Sequence, residues 1–339
     1  MQIPKRQEKK LFLFKEFKQM HHTIAFYNVE NLYDIVKDKN KLDDDYTYYG
    51  KKSWTLNRYK HKLIKIAKTI SLIGEEETSR LPTFFGLCEI ENKKVIEELL
   101  KEFPFRANYG YVHTDSLDER GIDTAFFYNK EFFTLEKYDF IRIPVYNNQG
   151  VRDYTRDITY AQGKFVGKDI HFFVLHLPSK RENDSNKPKR IVLLHKLRER
   201  IDEIFNNECD AQIIIMGDLN ENPTAEYLTK ELHCKKYESD LNSTDFYNPY
   251  ENLYSERKYS TYHHKKGLLF DQILLSASFF NKESQLIYKK AEIFNKSYLQ
   301  NKERGKLGTP WRTYTGSRYL GGYSDHYPVY VVIETANQG

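Results

Sequence analysis

Residues 324–333 read Ser324-Asp325-His326-Tyr327-Pro328-Val329-Tyr330-Val331-Val332-Ile333, with two ionisable groups standing just before an apolar run of strand character. The same order recurs at Asp271-Gln272-Ile273-Leu274-Leu275, where Asp271 opens the run. Four earlier runs show the opposite order. Asn28 and Glu30 follow Ile24-Ala25-Phe26-Tyr27, Glu89 follows the run 84–88, His176 follows 170–175, and Asp218 and Asn220 follow 213–216. For all these groups to share one rim, the last two strands must run opposite to the other four. The sheet structure is then mixed, unlike the all-parallel sheet of a dinucleotide-binding domain.

Helical stretches separate these runs, which marks an α/β chain. Residues 56–72 carry Tyr59, Leu63, Ile66, Ala67 and Ile70 on one face. Arg58, Lys60, Lys62, Lys65 and Lys68 read as its solvated basic face. Further helices are expected over 93–101 and 188–205, with Pro188 in the first turn of the second. Residues 158–160 and 164–166 read as two arms pairing with 170–175. With no internal repeat and no Gly/Ser-rich linker, one domain over 21–336 is expected after a basic N-terminal extension, 1–20.

The 339 residues are 40% hydrophobic and 30% charged, with a net charge of +5, which favours a polyanionic partner only weakly. The three cysteines make no disulfide framework and no Cys-x-x-Cys metal pair. The first twenty residues hold only the short apolar patch Leu11-Phe12-Leu13-Phe14, too short for a secretory core, and no run reaches membrane-spanning length. A cytoplasmic monomer without a membrane span is the expectation.

Glu89, Asp218, Asn28 and Asn220 form an all-oxygen set, which selects Mg²⁺ or Mn²⁺ over zinc. Such an ion would neutralise phosphoryl oxygens and orient the reacting groups. His176 and His326 could bind phosphate or move protons near neutral pH, with Asp271 fixing the tautomer of His326. No nucleotide-binding Gly-x-x-x-x-Gly-Lys-Ser/Thr loop is present. Each motif also has a purely structural reading. Asp218-Leu219-Asn220-Glu221-Asn222-Pro223 would serve as a turn, Glu89 as a helix cap near Asn92, and Asp325-His326 as a self-bonded turn.

Taken in order, seven motifs resemble the endonuclease/exonuclease/phosphatase superfamily, the deoxyribonuclease I-like phosphoesterases. They are Phe26-Tyr27-Asn28-Val29-Glu30-Asn31, Leu87-Cys88-Glu89-Ile90-Glu91-Asn92, Arg120-Gly121-Ile122-Asp123, Leu175-His176-Leu177-Pro178, Gly217-Asp218-Leu219-Asn220, Phe270-Asp271-Gln272-Ile273 and Ser324-Asp325-His326-Tyr327-Pro328. The start 28–34 and the finish 321–329 are most similar to bacterial members. The resemblance implies a four-layer α/β sandwich, two packed mixed β-sheets flanked by helices. It implies Glu89 as the main Mg²⁺ ligand with Asn28 beside it, and Asp325 near a second divalent ion. Mn²⁺ is an alternative metal. It implies Asp218 as the residue that holds or activates water, Asn220 on the phosphate, His176 as the histidine of the deoxyribonuclease I type of motif, and His326 as acid/base or phosphate-stabilising group with Asp271 as its partner.

Basic and aromatic residues around these motifs, among them Arg120, Arg156, Arg181 and Tyr262, suit a phosphate-rich substrate. The expected activity is a Mg²⁺-dependent nuclease. The alternatives are a phosphatase or phosphodiesterase on a small phosphorylated molecule or lipid headgroup, and a non-catalytic nucleic-acid-binding protein. A calcineurin-like metallophosphoesterase is disfavoured, because no Asp-x-His start and no Gly-Asn-His run accompany Gly217-Asp218.

Overall fold

Side-chain alternation decides where each strand sends its polar end. Along the strand Ile213–Asp218, Ile214 and Met216 join one core while Ile213 and Ile215 join another. Along Lys168–His176, Phe172 and Val174 go with the first set, Phe173 and Leu175 with the second. Both faces of each strand are therefore buried, which is why these runs read as continuous apolar segments. The computed structural model describes residues 20–335 except 103, 105–107, 148, 181–183 and 282. The expected N-terminal extension lies outside the described residues up to residue 19, and so does Arg181.

A six-stranded sheet runs in the order Leu286–Ile293, Val329–Thr335, Met20–Leu32, Phe84–Ile90, Asp123–Asn129, Tyr109–His113. A seven-stranded sheet packs on it, in the order Cys234–Lys235, Phe246–Tyr247, Asp271–Ser276, Ile213–Asp218, Lys168–His176, Ile158–Phe165, Phe133–Ile141. Helices Leu56–Leu72 and Lys93–Lys101 cover the outer face of the first sheet, and Lys187–Asn207 and Glu226–Leu232 cover the second. This is the four-layer sandwich. Asp271–Ser276 is antiparallel to Ile213–Asp218, and Val329–Thr335 is antiparallel to Met20–Leu32, while Lys168–His176 and Ile213–Asp218 are parallel. The reversed order of polar and apolar residues in the last two strands has this origin.

Between the sheets lies an aromatic core. Phe172 of the second sheet meets Phe84 and Phe126 of the first with ring centroids 4.5 and 4.6 Å apart. Each such buried side chain stabilises the fold by roughly 1.5–3 kcal/mol. Gly86 lets the sheets approach: a Cβ there would lie 2.7 Å from Met216 Sδ and 3.0 Å from Val174 Cγ1.

Two sequence expectations are corrected. Residues 158–165 form one continuous strand antiparallel to Lys168–His176, not two separate arms; Val166-Gly167, both at positive φ, make the turn. Lys62 is not on a solvated face but is 2% exposed. It stands three residues after Tyr59 and four before Ile66, so helical spacing puts it in the apolar stripe.

His22 is buried at one end of the core. Its ring sits edge-on to Phe132 and Phe165, and its Nδ1 is 2.8 Å from Thr83 Oγ1. Burial, helped by Arg80 and His21, lowers its pKa to about 4, and burial does the same to His171. Both groups bind fewer protons folded than unfolded. Their contribution to stability is complete above pH 6.5 and is lost as pH falls toward 4. The urea midpoint is expected to drop over that window by an equivalent of about 1–3 kcal/mol per histidine. In His22→Asn the drop should be smaller; an identical pH profile would contradict the assignment.

Candidate active site

Register brings the polar strand ends together. Asp218 is paired across the sheet with His176 on one side and Asp271 on the other. All three have the parity of the inward residues Met216, Val174 and Ile273, so they point into the mouth of the cleft between the sheets. Asn28 has the parity of Phe26 and reaches the same point from the first sheet, its Nδ2 donating to Asp218 Oδ2 at 3.0 Å. Asp218 Oδ1 accepts from the backbone N–H of Asn220 at 2.9 Å, and Asn220 Nδ2 donates to Leu177 O at 2.8 Å. His176 Nε2 lies 3.7 Å from Asp218 Oδ2.

His326 enters from the loop before Val329–Thr335. Ser324 Oγ donates to Asn28 O at 2.6 Å and accepts from His326 N at 3.1 Å, which fixes the turn. His326 Nδ1 is 2.7 Å from Asp271 Oδ2, and its Nε2 is 4.0 Å from Asp218 Oδ2. Asp271 is held in turn by Ser260 Oγ at 2.5 Å.

This geometry sets the charges apart. Burial raises Asp218 to about 7, a rise that His326 opposes. His326 is pulled well above its ordinary value: burial disfavours the cation, but Asp271 and Asp218 outweigh it. Burial, with Arg156 and Arg120, holds His176 well below the ordinary histidine range. His176 is therefore neutral near pH 7 and offers a hydrogen bond, while His326 carries the positive charge.

A bulge shapes the opposite lip. The pairing of Met20–Leu32 with Phe84–Ile90 shifts register between Asn28 and Leu32, and Glu30, Asn31 and Glu89 have φ of 52°, 50° and 66°. Asn220 has φ 48°. Left-handed backbone at such residues costs roughly 1–3 kcal/mol each and gathers at functional sites. The bulge turns Glu89 toward the mouth, where its Oε2 accepts from Asn31 N at 2.7 Å and Arg120 stands nearby. Arg120 also donates to Asn31 Oδ1. Among the described residues, Glu89 Oε2 accepts from Asn31 N and Asn28 Oδ1 accepts from Glu30 N at 3.0 Å, which leaves carboxylate and amide oxygen lone pairs for a hard cation. These residues fit a Mg²⁺-type ion. Potential ligand atoms of Asp218, Asp271 and His326 also lie within 4.8 Å of one another. There the His326–Asp271 bond at 2.7 Å occupies Nδ1, so that trio reads as a hydrogen-bonded chain rather than a cage.

A buried ionic group backs the site. Glu30 accepts from Thr313 N at 2.6 Å and lies 4.0 Å from Lys62 Nζ, which donates to Thr313 Oγ1 and Tyr323 O, both at 2.5 Å. Arg312 Nη2 pairs with Asp325 Oδ2 at 2.5 Å. Burial and Asp325 push Glu30 up to about 7, and burial brings Lys62 down to about 8. Lys62→Met would remove the donor to Thr313 Oγ1 and Tyr323 O and one of two cations beside Glu30, leaving Arg312 Nε at 3.9 Å, so a loss of about 2 kcal/mol in urea unfolding is expected. A loss below 1 kcal/mol would mean that the group does not hold the 313–323 segment.

The structure thus brings together Asn28, His176, Asp218, Asn220, Asp271 and His326, with Glu89 on the facing lip. Asp325 is committed to Arg312, so a metal near it competes with that pair. Arg156 is buried, its Nε 3.2 Å from Ile122 O and 3.4 Å from Asp118. Tyr262 lines a cleft beside Asp325. Sequence reasoning missed Ser260, which carries no motif, and the ionic role of Lys62, which helical spacing could have shown.

The sequence matches the endonuclease/exonuclease/phosphatase family over residues 23–335. No curated protein sequence matches it. Among solved structures, D. rerio TDP2 carrying 14 humanizing mutations superposes with TM-score 0.56 at 17% identity, covering 93% of this chain and 99% of that one. A mannosyl-6-phosphatase from Bacteroides thetaiotaomicron gives TM-score 0.56 at 16% identity, covering 92% and 99%. D. rerio TDP2 complexed with single-strand DNA product gives 0.55 at 18%, covering 93% and 99%. Among the described residues, no helix is long and apolar enough to cross a membrane.

Proposed function

This chain belongs to the endonuclease/exonuclease/phosphatase family and is a hydrolase of phosphate esters, and from that premise we propose that it is a Mg²⁺-dependent nuclease cleaving nucleic-acid phosphodiesters by water attack. The observation that carries the reading is the gap between Asp218 Oδ2 and His326 Nε2, 4.0 Å wide, with a base on one side and a cation on the other. Asp218, raised to about 7, takes the proton of the attacking water as its oxygen bonds to phosphorus, the bond from phosphorus to the leaving ester oxygen breaks, and that oxygen takes a proton from solvent. His326, charged and oriented by Asp271, neutralises a phosphoryl oxygen. His176 and the Asn220 amide complete the phosphate contacts, with Arg156 and Arg120 behind them. Glu89 with Asn28 would hold the metal, which supplies charge neutralisation and orientation of the ester. Mn²⁺ suits the same donors, and a second ion at Asp325 requires Arg312 to yield. Residues 21–336 act in this reading as one domain.

Arg120 and Tyr262 beside the mouth favour nucleic acid, and Arg312, shared with Asp325, and Lys180, shared with Glu221, add to the local positive field. A structure of the same fold, that of D. rerio TDP2, is complexed with single-strand DNA product. The competing substrate is a small phosphomonoester, as the shared fold of a mannosyl-6-phosphatase illustrates. A panel of supercoiled and linear DNA, RNA, abasic DNA and small phosphomono- and diesters, each with Mg²⁺, Mn²⁺, Ca²⁺ or EDTA, separates them. Metal-dependent nicking or degradation is expected. Turnover of small monoesters alone, with DNA and RNA intact, would overturn the nuclease reading.

A further inference from the structure

The hairpin Thr261–His263/Lys266–Leu268 is rooted in the catalytic residues. Thr261 bridges His326 as an antiparallel pair, Thr261 Oγ1 donates to Asp325 O at 2.8 Å, and Tyr327 N donates to Ser260 O at 2.7 Å. Ser260, at the hairpin's base, holds Asp271. The hairpin cannot shift without moving the chain on both sides of His326.

Its tip is a two-residue turn, His264-Lys265, with φ of 45° and 68°. Positive φ at both central positions marks the turn that prefers Asn-Gly, because a Cβ disfavours that backbone. Here the two places carry long cationic or ionisable side chains instead. Strain of this kind is evidence for a task that the easier residues do not perform. Both side chains line a cleft of about 400 Å³ that opens beside Asp325, with Tyr262, Lys306 and Arg312 on its other walls. Among the described residues, neither His264 nor Lys265 is paired with a carboxylate; Lys306 and Arg312 are, with Glu303 and Asp325.

We infer that this cleft is a second anion subsite, in which His264 and Lys265 bind a phosphate of the substrate other than the one being cleaved. The inference rests on the phosphoesterase reading of the mouth and narrows its substrate class to esters bearing a further phosphate group. A nucleic-acid strand carries one on every neighbouring nucleotide, and a bisphosphorylated small molecule carries one as well. One or two charge-assisted contacts of this kind are worth on the order of tenfold in affinity at low salt, and the advantage shrinks as salt screens it.

The test uses the full chain with Mg²⁺ and two probes, thymidine 3′,5′-bisphosphate and thymidine 5′-phosphate, titrated by calorimetry. Wild type should bind the bisphosphate about tenfold more tightly, with the margin falling at high salt. His264→Asn combined with Lys265→Gly should remove that margin while leaving the monophosphate affinity alone. It should also keep or raise Tm, since the new residues suit the turn. Equal affinities in wild type, or a margin that survives in the double variant, would overturn the subsite. Cleavage of DNA is scored separately. A chain that cleaves DNA but binds the probes alike loses the subsite and keeps the nuclease reading. One that binds as expected but cleaves no nucleic acid keeps the subsite, now for a bisphosphorylated small molecule, and loses that reading.

Discussion

Asp218→Asn should lower kcat by about 10³-fold, near 4 kcal/mol of barrier, while the protein stays folded. The side chains are isosteric, so packing under Asn28 and Asn220 survives. What disappears is the proton acceptor facing the water and the anion facing His326 Nε2 at 4.0 Å. The amide can satisfy only one of its two present donors, Asn28 Nδ2 and Asn220 N, with its single oxygen. That loss is about 1 kcal/mol. Against it stands relief from burying a charge. Asp218 is raised to about 7, so the folded state binds its proton more tightly than the unfolded one. Wild-type stability from this group therefore falls as pH rises from about 4 to 7. Relative to wild type, the variant should look more stable at pH 8 than at pH 5. A kcat within tenfold of wild type would remove Asp218 from the role of base.

Asp271→Asn is the second large effect, expected at about 10³-fold or more in kcat. Asp271 is fully buried and holds His326 Nδ1 at 2.7 Å, so its charge both orients the ring and keeps it protonated. With a neutral amide there, the largest opposition to burial of His326 is gone, Asp218 and Asp325 remain, and its pKa must fall. The residual activity should then fall on the alkaline side, at pH values where wild type still holds His326 protonated, while the acid limb set by Asp218 stays in place. A structural role alone would lower activity without moving the pH profile. Imidazole resonances of His326 followed by NMR titration should report the same downward shift.

Much of this site was legible in the sequence because strand alternation is strict. Phe26 to Asn28, Val174 to His176, Met216 to Asp218 and Ile273 back to Asp271 are all two-residue steps. Anyone who accepts the apolar residue as inward must place the polar one inward too. The mixed sheet followed from the reversed order at Asp271 and at Asp325-His326. What escaped was whatever breaks periodicity or comes from afar. The bulge at 28–32 puts Glu30 against Thr313 and turns Glu89 to the lip, and no local pattern announces it. Ser260 reaches Asp271 across eleven residues through a short hairpin without motif. Lys62 was misread because charge was weighed above spacing. The edge strands Tyr109–His113, Phe133–Ile141 and Leu286–Ile293 alternate weakly, having one face partly open.

Initial-rate hydrolysis of bis(4-nitrophenyl) phosphate by wild type and His326→Ala, each in Mg²⁺ and again in EDTA, tests the centre most directly. Wild type should turn the ester over in Mg²⁺ and stop in EDTA, and His326→Ala should lose about 10³-fold in Mg²⁺ with its circular dichroism unchanged. Turnover that persists in EDTA, or in folded His326→Ala at a rate near wild type, would contradict a metal-dependent phosphoesterase centred on His326.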